Sequence, residues 1–285
     1  MGKRLSIALL ALLLLSSVSH GASIEHAYEL FTRGLYKEAL REAYNVWNQN
    51  MLDPRANFAI AHLIYETYHR DPISLYLFYA EYNNGRYNYT ERMFAHSMTA
   101  ILYSEPDTLL HIEAKFYNCE SELLGKRYAA AVRCFYENIL VPYYKKTGFE
   151  DLSKRSTVSY AKALYGLRLY EETYQWLERG MDLLLDDPRR LRMAFDIIND
   201  SLTSLTNAEL VRQRYGHLID KYGHLERETY NGSTLTYGEW LYVELMDYLL
   251  DRRERAMARE VFEEFQRKYP EPVMTSEVKS IKNRL

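Results

Sequence analysis

Glycine and proline, the residues that most often interrupt helices, are scarce in this chain of 285 residues. It contains 12 glycines and 7 prolines, whereas tyrosine, with 27 residues, is unusually frequent. The chain also lacks the sustained alternation of apolar and polar residues that marks a half-buried strand. Apolar residues instead recur at helical spacing, for example at Leu109, Ile112, Phe116, Cys119 and Leu123. We therefore expect an all-α protein.

An excess of charge of either sign is also lacking. The chain has 36 Lys and Arg residues against 39 Asp and Glu residues, which gives a formal net charge of −3. Domains that bind nucleic acid usually show a clear basic excess, because contacts to phosphates supply much of their affinity. We therefore expect that nucleic acid is not a partner of this protein.

Motifs of catalysis and cofactor binding are missing. There is no GxSxG nucleophile elbow, no HExxH zinc helix, no phosphate-binding loop and no GxGxxG turn. The closest approach to a ligand set is His217, Asp220 and His224, whose spacings of three and four residues place them on one helix face. Gly223, however, is expected to end that helix and to turn His224 away. We predict that the protein is not an enzyme and has no metal site and no cofactor.

Cysteine is nearly absent, and the two that occur are Cys119 and Cys134. They lie 15 residues apart across a predicted helix, turn and helix, a separation that brings the arms of an antiparallel hairpin face to face. An oxidising compartment would favour a disulfide between them, whereas small buried cysteines packed between helices are the alternative. Both alternatives remain open at this point.

The only long apolar segment lies at the N-terminus. Two basic residues precede the apolar run Leu5–Leu15, and small residues at Ser19 and Gly21 follow it. This run of 11 residues is shorter than the ~17 to 25 residues that span a bilayer, which favours a cleaved export signal over a membrane anchor. We expect residues 1–21 to be removed and the mature chain to be periplasmic or secreted, with no integral membrane segment.

The mature chain is predicted to form about five or six helical hairpins in one domain, residues 22–270, followed by a C-terminal tail, residues 271–285. One of these hairpins has a first arm from Pro72 to Tyr82 and a second arm that runs through Phe94 and Met98. Equivalent turn positions are separated by 51, 41, 42 and 85 residues and are occupied by Tyr36, Tyr87, Tyr128, Tyr170 and Arg255.

Three of these hairpins carry the most specific sequence pattern, namely Gly34-Leu35-Tyr36-x-x-Ala39, Tyr160-Ala161 with Leu164 and Tyr170, and Ala258-x-x-x-Phe262-x-x-Phe265 with Tyr269-Pro270. At these residues the chain resembles the tetratricopeptide repeat family, whose unit of ~34 residues is a helical hairpin. The last stretch is also similar to repeats of periplasmic outer-membrane assembly and envelope-coordination proteins. The resemblance implies an α–α superhelix, or solenoid, that acts as a protein-binding scaffold.

If the array curves as such repeats do, the first arm of each hairpin lines a concave face. Tyrosine suits recognition there, because it combines a large apolar ring with a polar tip and loses little rotamer entropy. The alternative is that these aromatic side chains fill space between helices. The candidate partner-binding residues are Tyr28, Phe31, Tyr79, Tyr82 and Tyr165.

Two functions follow from this pattern. The first is an exported, non-enzymatic scaffold that binds a protein or peptide through the concave face of the solenoid. The second is a glycan-binding or glycan-processing accessory protein, in which exposed tyrosines stack on sugar rings. Tyrosines spread along a groove would favour the peptide, whereas coplanar rings around a compact pocket would favour the sugar. The sequence leaves the partner and the oligomeric state open.

Overall fold

The computed structural model describes residues 22–82, 88–230 and 233–285. The predicted export signal and the predicted turn residue Tyr87 lie outside the described residues. Within these ranges the fold is all-α apart from one short β-hairpin, so the predicted fold class is confirmed. No helix in the described part of the chain has both the length and the apolar composition needed to cross a bilayer.

The chain divides into two compact units between Leu152 and Ser153. The first unit contains α1 (Ile24–Thr32), α2 (Tyr36–Gln49), α3 (Pro54–Arg70), α4 (Pro72–Tyr82), α5 (Tyr89–Tyr103), α6 (Leu109–Leu124), α7 (Tyr128–Phe135), a π-helical turn (Tyr136–Leu140) and α8 (Val141–Tyr143). The boundary falls in the first turn of α9 (Glu150–Gly166).

The second unit continues along α9 and ends with the C-terminal helix. Its further elements are α10 (Tyr170–Gly180), a 3-10 turn (Met181–Leu184), α11 (Pro188–Ser204), α12 (Ala208–Tyr222), β1 (Glu226–Tyr230), β2 (Ser233–Thr236), α13 (Tyr237–Asp251), α14 (Arg255–Lys268) and α15 (Thr275–Arg284).

Four helical hairpins turn in the same way. In each turn one residue adopts the left-handed conformation, and the amide of the next residue donates to the carbonyl five residues earlier, at 2.8–3.1 Å. This Schellman arrangement satisfies the last carbonyls of the first helix. The left-handed residues are Gly34, Lys126, Arg168 and Arg253, with φ of 80°, 57°, 61° and 66°.

The second helix of each hairpin begins two residues after the left-handed one, at Tyr36, Tyr128, Tyr170 and Arg255. These are four of the five positions that the sequence predicts to be equivalent. The loose repeat is therefore a repeat of one turn geometry, and the predicted equivalence is confirmed at these four positions.

The packing partners of α4 and α5 differ from the prediction. The sequence pattern indicates a hairpin between the arm Pro72–Tyr82 and the arm that follows it, whereas α4 packs on α2 and α3. The main partners of α5 are α3 and α6. A helical pattern marks the apolar side of a helix and does not specify which neighbour covers it, so the pairing was predicted wrongly.

A disulfide links the second half of α6 to α7. Cys119 and Cys134 are bonded, with their Cα atoms 5.3 Å apart, and Cys119 is fully buried. The bond closes a loop that contains the turn at Lys126. It therefore holds together two helices that also pack through apolar side chains such as Phe116 and Phe135, whose ring centroids are 5.9 Å apart.

The β-hairpin between α12 and α13 corrects the expectation of a chain without strands. Strands β1 and β2 pair antiparallel, and Gly223 and Gly238 bring the backbones at the base of the hairpin together through a hydrogen bond of 3.0 Å. Thr and Tyr residues flank Asn231-Gly232, and an Asn-Gly pair is the strongest local signal for a hairpin. That signal is present in the sequence, although the two residues themselves lie outside the described part.

The predicted C-terminal tail is part of the second unit. Residues 271–285 contain α15, whose Ile281 is fully buried. Arg284 forms ion pairs with Asp247 and Asp251 of α13, at 2.6 and 2.5 Å. The tail therefore packs against α13 as a helix.

Candidate binding surface

The five candidate residues from the sequence divide into core and partly exposed side chains. Phe31 and Tyr79 are buried, so neither presents a surface to a partner, and their assignment as accessible binding residues is corrected. Tyr82 is exposed, and Tyr28 and Tyr165 are half-buried. Tyr28 lies in the first unit and Tyr165 in the second.

Phe31 and Tyr82 are held by neighbouring aromatic rings. The Phe31 ring meets Tyr36 edge-on at 5.1 Å, and the guanidinium of Arg70 lies 5.0 Å from its centroid. The Tyr82 ring stacks on Phe78 at 5.2 Å. The Phe31 ring is therefore held between helices, which is the structural role that the sequence left as the alternative. Tyr82 packs on Phe78 and Tyr44 but remains 40% exposed.

Tyr79 belongs to a buried chain of hydrogen bonds whose direction can be assigned. The side-chain nitrogen of Asn57 donates to two backbone carbonyls at 2.8 and 2.9 Å, so its oxygen is an acceptor. His96 donates to that oxygen from Nδ1 at 2.8 Å, and its Nε2 therefore accepts from the Tyr44 hydroxyl at 3.1 Å. The Tyr79 hydroxyl in turn donates to the Tyr44 oxygen at 3.0 Å.

This chain requires a neutral imidazole, because a protonated ring has no nitrogen left to accept from Tyr44. Burial lowers the pKa of His96 to about 4, and the charge of Arg92 acts in the same direction. Burial likewise raises the pKa of Tyr44 above its ordinary value. Tyr79 and His96 therefore serve the stability of the first unit.

Tyr28 takes part in a different cluster, which extends over three neighbouring helices. Its hydroxyl and His62 Nδ1 share a hydrogen bond of 2.9 Å, and α3 packs against both α1 and α6. Tyr117 of α6 contacts His62 and Tyr65 of α3, both at a centroid distance of 5.3 Å. Tyr65 also meets His69 edge-on at 4.6 Å.

We call Tyr28, His62, Tyr65, His69 and Tyr117 the aromatic–histidine surface. Tyr117 is its buried floor, the first three side chains are half-buried, and His69 is exposed. His62, Tyr65 and His69 occupy positions i, i+3 and i+7 of α3, which places them on one helix face. This spacing is visible in the sequence and could have identified the face, which the choice of tyrosines and phenylalanine alone missed.

Carboxylates border this surface and set its electrostatics. Burial, together with the charges of Glu66 and Glu113, raises the pKa of Tyr28, so its hydroxyl stays protonated. Burial also acts to raise the pKa of Glu66, but His62 and Arg70 outweigh it and the pKa of this carboxyl is lowered. Arg70 donates to Glu66 at 2.9 and 3.0 Å. The surface therefore combines apolar rings with hydroxyl, imidazole and carboxylate groups.

Such a combination suits the binding of a polypeptide. Rings offer apolar area, and the polar tips can donate to or accept from backbone groups of a bound segment. Among the described residues, no group of three His, Cys, Asp or Glu side chains is arranged to hold a metal ion. His217 pairs with Glu178 at 3.0 Å, and Gly223 is the C-cap residue of α12.

Comparisons with known proteins add little to this geometry. No family model matches the chain, and no curated protein matches it. It is similar to a solved structure from Pseudomonas aeruginosa, "Functional Characterization of Pseudomonas Aeruginosa pilF", with a TM-score of 0.49 and 12% sequence identity over 92% of this chain and 96% of that chain. The assignment of paired helices rests on the turns and contacts described above.

Proposed function

We propose that this protein is an exported scaffold without enzymatic activity, and that it binds a protein or peptide partner. Its four equivalent hairpin turns support this proposal, because stacked helical hairpins present extended surfaces for polypeptides. The resemblance to tetratricopeptide repeats at the sequence level points the same way. Export rests on the N-terminal sequence, where the basic residues and the apolar run are those of a cleaved signal.

The observation that carries the proposal is the aromatic–histidine surface. It spans α1 and α6, the first arms of the hairpins that turn at Gly34 and Lys126, and α3, which packs against both of them. We infer that it belongs to the concave face that such arrays use for binding. Two of its side chains, His62 and Tyr65, are half-buried rather than enclosed, and His69 is exposed. A partner can therefore contact the rings without rearrangement of the core.

Affinity capture with paired variants tests this function. The processed protein serves as bait against an envelope or secretome extract, beside the double variant Tyr65→Ala/His69→Ala and the control Tyr103→Ala. Tyr103 is a suitable control because it is 54% exposed and lies at the C-terminal end of α5, outside the surface. We expect wild type and control to retain the same partner, and the double variant to lose it.

The same three proteins on a glycan array separate the two functions that the sequence allows. A response on the array with no captured protein would contradict the scaffold proposal and favour sugar binding. Equal capture by all three proteins would leave the scaffold in place and refute the assignment of its binding surface. Thermal unfolding of each variant checks that Tyr65→Ala/His69→Ala has not simply unfolded.

A further inference from the structure

Helix α4 is apolar on both sides. Leu75, Phe78 and Tyr79 are buried against the first unit. On the opposite side Ile73, Tyr76 and Leu77 are 69%, 55% and 46% exposed. A helix that is apolar around its whole circumference is normally enclosed, and adjacent exposed apolar residues mark an interaction site.

The exposed side forms a regular stripe. Ile73, Tyr76, Leu77 and the half-buried Ala80 occupy positions i, i+3, i+4 and i+7, the spacing of helices that dock along one face. The two large residues Tyr76 and Leu77 lie at its centre, and Ile73 and Ala80 lie at equal distances on either side of them. We call these four residues the α4 stripe.

The α4 stripe is complementary to itself when a second copy is placed antiparallel. A two-fold axis at its centre brings Ile73 of one copy opposite Ala80 of the other, so that a large side chain faces a small one. It also places Tyr76 opposite Leu77, an aromatic–aliphatic contact. Self-complementarity of this kind is the requirement of an isologous interface.

Charge at the two ends of α4 supports the same arrangement. The N-terminal end carries Asp71, whose carboxylate accepts from Ser74, and the neighbouring Arg70 is held by Glu66. At the C-terminal end two cations, Lys37 and Arg41, surround the single carboxylate of Glu81. An antiparallel copy brings the negative end of one helix to the positive end of the other, and it also opposes the helix dipoles.

We propose that the protein forms a symmetric dimer in which the α4 stripes of two copies pack antiparallel. The stripe is small beside the ~800 Å² that each partner buries in a standard interface. We therefore expect a weak dimer, with a Kd on the order of 10 to 100 µM. This dimer is independent of the proposed partner at the aromatic–histidine surface, which lies on other helices.

Sedimentation equilibrium over a range of concentrations, with matched variants, tests the dimer. Ile73→Lys places an ammonium group at the stripe and should raise Kd at least ~10-fold. Leu102→Lys is the control, because Leu102 is 70% exposed on α5, as Ile73 is on α4, and its substitution should change Kd by less than ~2-fold. A wild-type chain that stays monomeric at about ten times the upper expected Kd would overturn the proposal.

Cysteine cross-linking tests the orientation. The double variant Ile73→Cys/Ala80→Cys should form a covalent dimer under mild oxidation, because residue 73 of one copy faces residue 80 of the other. The single variant Ile73→Cys should remain monomeric under the same conditions. Cross-linking of the single variant would show a parallel contact, and absence of cross-links in both would show that another molecule covers this face; either result contradicts the antiparallel dimer.

Discussion

Two alanine substitutions should change stability in opposite directions, although both replace a glycine whose Cβ position is open. An added Cβ would meet nothing within 4 Å at either Gly34 or Gly216. Gly34 has φ of 80° in the first hairpin turn, whereas Gly216 lies inside α12. The two variants therefore differ in backbone conformation and not in steric contact.

The magnitudes follow from that difference. The left-handed conformation costs an L-residue roughly 1–2 kcal/mol. Alanine offsets roughly 0.4–1 kcal/mol of this cost, because the unfolded chain has less conformational entropy with alanine than with glycine. Gly34→Ala should therefore destabilise the first unit by about 1 kcal/mol. In the interior of a helix alanine is favoured over glycine by roughly 0.8–1.0 kcal/mol, so Gly216→Ala should stabilise the second unit by about that amount. In a domain of this size about 1 kcal/mol shifts Tm by ~2–4 °C.

Differential scanning calorimetry, with urea unfolding followed by circular dichroism, measures both variants. We expect a lower transition for Gly34→Ala and a higher one for Gly216→Ala. A converse substitution, Arg168→Gly, should stabilise by up to about 1 kcal/mol, because Arg168 has φ of 61° in an equivalent turn. If Tm shifted in the same direction in both alanine variants, either the left-handed conformation of Gly34 or the position of Gly216 inside a helix would be wrong.

Three further predictions concern the core of each unit. Burial lowers the pKa of His96 from 6.5 to about 4, so the unfolded chain takes up a proton at a higher pH than the folded chain does. The free energy of unfolding should therefore fall by up to about 3 kcal/mol as the pH drops from 6.5 towards 4. Urea unfolding at pH 6.5 and pH 4 measures this pH dependence, which His96→Gln should reduce. Reduction of the Cys119–Cys134 bond should destabilise the first unit by about 3 kcal/mol, which is the loss of unfolded-state entropy expected when a loop of about 15 residues is closed. A Tm that is unaffected by reductant would contradict this. Ala161 is fully buried in α9, so Ala161→Leu should cost ~1–3 kcal/mol through overpacking, and an unchanged melting temperature would show that the site has spare room.

The sequence predicted the turns better than the partners of each helix. Gly34 and its equivalents precede helices that begin where the pattern placed them, because turn geometry and the first helical residue are local properties of the chain. The partners of α4 are not local. Since this helix is apolar on both sides, its pattern could not show that Tyr79 faces the core and Tyr76 faces outward.

The candidate site shows the same limit. Tyr28 was a candidate from the sequence, but its neighbours His62 and Tyr117 come from α3 and α6 and are brought together only by packing. Phe31 was predicted as a surface residue because a helical pattern does not distinguish a core ring from a ring at a groove. The β-hairpin was missed for a different reason, namely that the local Asn-Gly signal was outweighed by the helical pattern around it.

Site-specific photo-cross-linking in the producing cell tests the central claim most directly. A photoreactive residue at position 69, in the aromatic–histidine surface, should cross-link to a polypeptide partner, whereas the same residue at position 103 should not. Both positions are exposed, so the comparison isolates the surface. Equal labelling at the two positions, or labelling at position 103 alone, would contradict the proposal that the protein binds its partner through α1, α3 and α6.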